Sequence, residues 1–140
     1  MRYILIFVSF LFVTSCGVDF VTTDTLPPSG ATAFIVNEIE PADALPKIQE
    51  AYSQFVDVRS PEEYAAGHAM RAKNIPLNEL PNKLDILEKS EPVYVICKTG
   101  RRSKEAADIL VKNGFKWVFS VTGGTDAWRE AELPMTTARK

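Results

Sequence analysis

The side chain with the most chemistry to offer is Cys97. It closes an apolar run, Pro92-Val93-Tyr94-Val95-Ile96, and is followed at once by Lys98-Thr99-Gly100-Arg101-Arg102-Ser103. A loop that runs into a helix turns backbone N–H groups inward, and the helix dipole adds positive potential there. A sulfur at the centre of such a ring is favoured as thiolate, its nucleophilic form. Gly100 lets the backbone curl without a Cβ clash. Arg102 offers a planar fork of donors to the loop or to an anion. With Lys104 these cations form a local basic cluster. The pattern points to nucleophilic sulfur chemistry on an anionic partner. The bland alternative is a core cysteine at a strand end, and the charged, glycine-containing loop argues against it.

The elements that must present this loop are legible on either side of it. Pro92 to Cys97 is apolar without alternation, which suits a strand covered on both faces. From Ser103 to Asn113, Ala106, Ile109, Leu110 and Asn113 fall on one side of a helix that Gly114 closes as a left-handed cap. Upstream, Phe34-Ile35-Val36 reads as a short strand, and a helix opens at Pro41. Gln54 to Arg59 is a strand ending in charge. Ser60 is an N-cap with Pro61 at the first helical position and Glu62-Glu63 beside the positive helix end. Asn74-Ile75-Pro76 is a short extended piece. Leu77, Leu80, Leu84 and Leu87 recur at helical spacing, in a helix beginning near Pro81. Trp117 to Val121 is the last strand, and the Gly123-Gly124 turn leads to a short helix through Trp128. Strands alternating with helices give an α/β fold, a central parallel sheet of about five short strands with helices on both faces. Ligands of such sheets bind beyond the carboxyl ends of the strands, where Cys97 stands.

Cys97-Lys98-Thr99-Gly100-Arg101-Arg102-Ser103 resembles the Cys-x-x-Gly-x-Arg-Ser loop of rhodanese-family sulfurtransferases. Asp57-Val58-Arg59-Ser60-Pro61-Glu62-Glu63-Tyr64 resembles that family's Asp-Val-Arg-x-x-x-Glu-Tyr segment. Gly67-His68, Asn74-Ile75-Pro76-Leu77, Gly114-Phe115, Gly123-Gly124 and Ala127-Trp128 follow in the family's order. The likeness runs from about Ile39 to Pro134, most of the chain, so residues 34–140 are expected to form one rhodanese-like domain. There are departures. His68-Ala69-Met70-Arg71-Ala72 stands where the family shows His-Ile-Pro-Gly-Ala, which places the charge of Arg71 near the expected mouth of the site, and Val121 stands where Leu is common.

The resemblance implies a two-step sulfur transfer with Cys97 as nucleophile and the loop Lys98, Thr99, Gly100, Arg101, Arg102 and Ser103 as the cradle. The donor would be a small anionic sulfur compound, thiosulfate-like or a persulfide; the acceptor would be an external thiol, another nucleophile or a partner protein. Asp57 and Arg59 are expected to support the loop as an ion pair or to meet substrate, as is Arg71. His68 reads as a turn residue, and Trp117, Trp128 and Tyr64 as core or near-core aromatics. Alternatives remain: a persulfide carrier or partner-binding module without turnover, and a rhodanese-fold phosphatase or arsenate reductase. The last has five residues between Cys and Arg, whereas four separate Cys97 from Arg102. No cofactor is expected, and one His with one available Cys cannot supply a structural zinc shell.

The second cysteine belongs to a different signal. Arg2 precedes an apolar run from Tyr3 to Val13, barely half of the roughly 20 residues that a spanning helix needs. Val13-Thr14-Ser15-Cys16-Gly17 then resembles the lipobox of bacterial lipoproteins. The expectation is a signal peptide over 1–15, a lipidated Cys16, and a Pro- and Thr-containing tether over 16–33 that holds the domain to a membrane of the cell envelope, on the periplasmic face in a Gram-negative cell. Net charge is −2 with charged residues at 24%, so nothing suggests a nucleic-acid surface.

Overall fold

The structure, a computed structural model, describes residues 36–137. The expected signal peptide, Cys16, the tether and Phe34-Ile35 lie outside the described residues. Five strands pair in parallel in the order β1-β6-β5-β2-β4: β1 (Asn37–Ile39), β2 (Gln54–Asp57), β4 (Lys73–Asn74), β5 (Val93–Ile96) and β6 (Val118–Val121). A separate antiparallel pair joins β3 (His68–Ala69) to β7 (Met135–Thr136). The helices are α1 (Pro41–Ile48), α2 (Pro61–Ala65), α3 (Arg101–Lys112) and α4 (Gly124–Glu130).

All four residues of β5 are buried, which explains its unbroken apolar run. Successive side chains of a strand point to opposite faces. Val93, Val95 and Cys97 accordingly join one core with Val56, Ala106 and Leu110, while Tyr94 and Ile96 join a second with Phe55, Ile48 and Trp128. Trp128 is fully buried, and its ring lies 5.5 Å from that of Phe55. The expected parallel sheet with helices on both faces is therefore the observed fold.

Several local expectations shift. Among the described residues the first strand is Asn37–Ile39, and Val36 of the expected strand lies just before it. No α-helix carries the leucine series; two 3-10 turns, Leu80–Asn82 and Leu84–Ile86, take its place. Pro81 withholds an N–H and disfavours a helical residue before it, yet Leu80 and Leu87 still reach the core. Asn113 is exposed at the end of α3, and Trp117 is 54% exposed rather than near the core. His68 lies in β3, buried, with its ring stacked 3.6 Å from that of Tyr64.

Candidate active site at the carboxyl end of β5

Cys97 follows β5 and is 1% exposed. Its Sγ accepts the Gly100 N–H at 3.1 Å, and its thiol donates to Ser103 Oγ at 3.6 Å. The Ser103 hydroxyl donates to the Gly100 carbonyl at 2.9 Å and lies 2.9 Å from Ser120 Oγ on β6. Ser103 and Ser120 are both buried, so sulfur, hydroxyl and hydroxyl form one polar chain inside the apolar core. Gly100 has φ of +98°, the left-handed region that a Cβ disfavours. That turn swings its N–H onto the sulfur.

The loop is held open to the sulfur from behind. Thr125 N donates to the Cys97 carbonyl at 2.7 Å, and Asp126 N donates to the Lys98 carbonyl at 3.1 Å. The first turn of α4 thus occupies the Cys97 and Lys98 carbonyls and packs the loop against α4. The approach is so close that a Cβ on Gly124 would stand 2.3 Å from the Cys97 carbonyl oxygen. This role of the Gly123-Gly124 turn is not visible in the sequence, where the pair reads only as a bend. Ser120 is equally hard to find there. Its one signal is a small polar residue inside Val118-Phe119-Ser120-Val121.

The remaining site residues divide. Lys98, Thr99 and Arg101 surround the loop, Lys98 and Arg101 exposed, and Arg101 and Thr99 line a surface hollow with Gly100 and Thr122. The Arg102 fork is taken up by a carboxylate: Nη1 and Nη2 donate to the two Glu63 oxygens at 2.7 and 2.8 Å. Glu63 also closes a capping box with Ser60 on α2. The Arg102 guanidinium holds its carboxyl down at about 2, and the carboxylate in turn raises Arg102. Arg102 therefore fastens the start of α3 to α2.

Asp57 and Arg59 form a buried pair. Arg59 Nε meets both carboxylate oxygens at 3.0 Å, Nη2 meets Oδ2 at 2.7 Å, and Nη2 also donates to the Gly67 carbonyl at 2.9 Å. Asn74 Nδ2 ties the Asp57 and Arg59 carbonyls, each at 2.9 Å. These contacts brace the end of β2 beside β5. Arg71 does not stand at the mouth of the cysteine loop. It lines a cavity with Ser53 and Gln54 at the amino end of β2, because β3 and its turn carry the chain back to that edge before β4 begins.

Residues 41–131 match the family model described as the rhodanese-like domain. The chain belongs to the rhodanese-like family. This rhodanese-like domain is 37% identical over 101 residues to the thiosulfate sulfurtransferase GlpE of Actinobacillus pleuropneumoniae serotype 3, covering 72% of this chain and 94% of that protein. It is 38% identical over 76 residues to the uncharacterized protein YqhL of Bacillus subtilis, covering 54% of this chain but 60% of that protein's length. Among solved structures, a rhodanese-related protein of Thermoplasma volcanium superposes with a TM-score of 0.66 at 34% identity, covering 73% of this chain and 99% of that one.

Proposed function

We propose that the protein moves sulfane sulfur from an anionic donor to a nucleophilic acceptor through a persulfide on Cys97. The observation that carries this reading is the Sγ lodged against the Gly100 amide and the Ser103 hydroxyl, at the foot of a loop rimmed by Lys98 and Arg101. The Cys97 thiolate attacks the outer sulfur of thiosulfate. The S–S bond of the donor breaks, and sulfite leaves with its electron pair. An acceptor thiolate or cyanide then attacks the terminal sulfur, and Cys97 is returned as thiolate. The Gly100 amide already points at the sulfur and stabilises its negative charge in both states, which is electrostatic preorganisation. The donor chain to Ser120 leaves Ser103 able to turn its hydrogen toward the sulfur when the thiol proton is gone.

Cys97 is the one cysteine among the described residues, so the acceptor comes from outside the domain. Phosphoryl chemistry is disfavoured, because the loop arginine is spoken for by Glu63. We further propose that Cys16 carries the lipid and holds the protein to an envelope membrane; among the described residues no helix is long and apolar enough to cross one. The test of the chemistry is thiocyanate formation from thiosulfate and cyanide. Turnover by the wild type and its loss in Cys97→Ser are expected; equal rates for the two would remove Cys97 from the mechanism. Stoichiometric transfer without turnover would favour the carrier.

A further inference from the structure

Because the five strands of the main sheet are parallel, their amino ends share one edge and their carboxyl ends the other. Cys97 stands at the carboxyl edge. Gln54, Val93 and Val118 are level in register, so the segments before them emerge together at the amino edge. Those segments carry Tyr52 and Trp117, 78% and 54% exposed. Only β5 separates their strands, a span of roughly 10 Å. Ile86, 61% exposed, lines the cavity at this edge with Gln54 and Arg71, and the exposed Met70 adjoins Arg71 in sequence. These four are the large apolar side chains left exposed among the described residues. Tyr52 and Arg71 both sit at positive φ, +70° and +73°, a conformation that L side chains adopt at a cost.

The charges at this edge are mixed: Arg71 and Lys73 line the cavity, Lys116 precedes Trp117, and the Glu50 and Glu88 backbones bond to Ser53 and Gln54. Aromatic rings with basic neighbours suit the headgroup level of a bilayer, where Trp and Tyr settle and Lys and Arg extend toward phosphate. The chain also enters the domain here. Asn37 pairs with Phe119, so Val36 is level with Val118 at the same edge, and Cys16 lies only 20 residues upstream of Val36. A surface tethered that closely meets its membrane at high effective concentration, so a modest patch is enough.

We infer that the amino edge of the sheet, through Tyr52, Ile86 and Trp117, docks onto the lipid surface and turns the Cys97 loop toward water. The inference rests on the Cys16 anchor proposed above. Of the two tryptophans, Trp128 is fully buried, so changes in emission at the membrane report Trp117. The test uses the full lipidated chain in phosphatidylethanolamine–phosphatidylglycerol vesicles whose acyl chains are brominated in a parallel sample. Expected are quenching by the brominated lipid, its loss in Trp117→Phe, its weakening in Tyr52→Ser, and sulfur transfer unchanged in both variants. Flotation with vesicles, without lipid quenching and with free access of aqueous iodide to Trp117, would overturn the docking surface and leave the anchor standing. Failure to float would remove the anchor and the docking with it. Shielding of Trp117 in native membranes but not in pure lipid would mean a protein occupant and would also overturn the inference.

Discussion

At Cys97 the chemistry depends on two neighbours of different kind: an amide fixed by the backbone and a hydroxyl that can turn. Truncating a side chain leaves the Gly100 N–H in place, but it can remove the Ser103 hydroxyl. Hydrogen bonds to a charged group contribute about 1.5–3 kcal/mol, so Ser103→Ala is expected to slow transfer by roughly 10-fold or more. The check is kcat with thiosulfate, read beside a thermal melt that shows the fold intact. The Asp57–Arg59 pair behaves differently, because both groups are buried. Asp57→Asn leaves a buried guanidinium without its counter-charge and should cost about 3–5 kcal/mol, measured by denaturant unfolding. Glu63 gives the pH dependence. Its folded-state pKa is lowered from 4.5 to about 2, so the stability it contributes is complete above 4.5 and is lost as pH falls toward 2. The pair is about a third exposed and therefore contributes at most about 1 kcal/mol. Glu63→Gln should lower the melting temperature at pH 7, and the two proteins should converge near pH 2.

At the scale of elements, two glycines with left-handed φ separate conformational cost from steric cost. Gly114, at +91°, has nothing within 4 Å of the place a Cβ would take, whereas a Cβ on Gly124, at +58°, would meet the Cys97 carbonyl at 2.3 Å. Gly114→Ala is therefore expected to lose about 1 kcal/mol of stability and no activity. Gly124→Ala must push α4 from the loop, and should lose both, as a melt and a thiocyanate assay on the same preparation would show. The elements are unevenly legible in the sequence. β5 and α3 can be read because an apolar run and a 3.6-residue period are local signals. The leucine series misleads, since Leu77, Leu80, Leu84 and Leu87 have helical spacing but are bound to the core through 3-10 turns. The β3–β7 pair joins segments more than 60 residues apart with two residues each, and no local pattern marks it.

Over the whole domain, the parallel sheet separates its chemistry from its exposed apolar surface. The Cys97 loop opens at one edge; Tyr52, Ile86 and Trp117 gather at the other. Arg71 illustrates why sequence proximity to a motif does not locate a residue: the β3 turn carries it to the edge opposite the cysteine. Arg102 and Glu63 illustrate the same limit, since a contact across 39 residues has no trace in either local segment. The residues that bind the loop to the sheet are thus partly motif residues and partly long-range partners. In the mechanism proposed above, this machinery serves one covalent event, the arrival of a sulfur atom on Cys97 Sγ. Intact and peptide mass spectrometry of the full chain after incubation with thiosulfate, and again after cyanide, reads that event without an intermediary. One added sulfur atom is expected on the peptide containing Cys97, removed by cyanide as thiocyanate and absent in Cys97→Ser. No added sulfur after any thiosulfate exposure, or an adduct that persists in Cys97→Ser, would refute the persulfide.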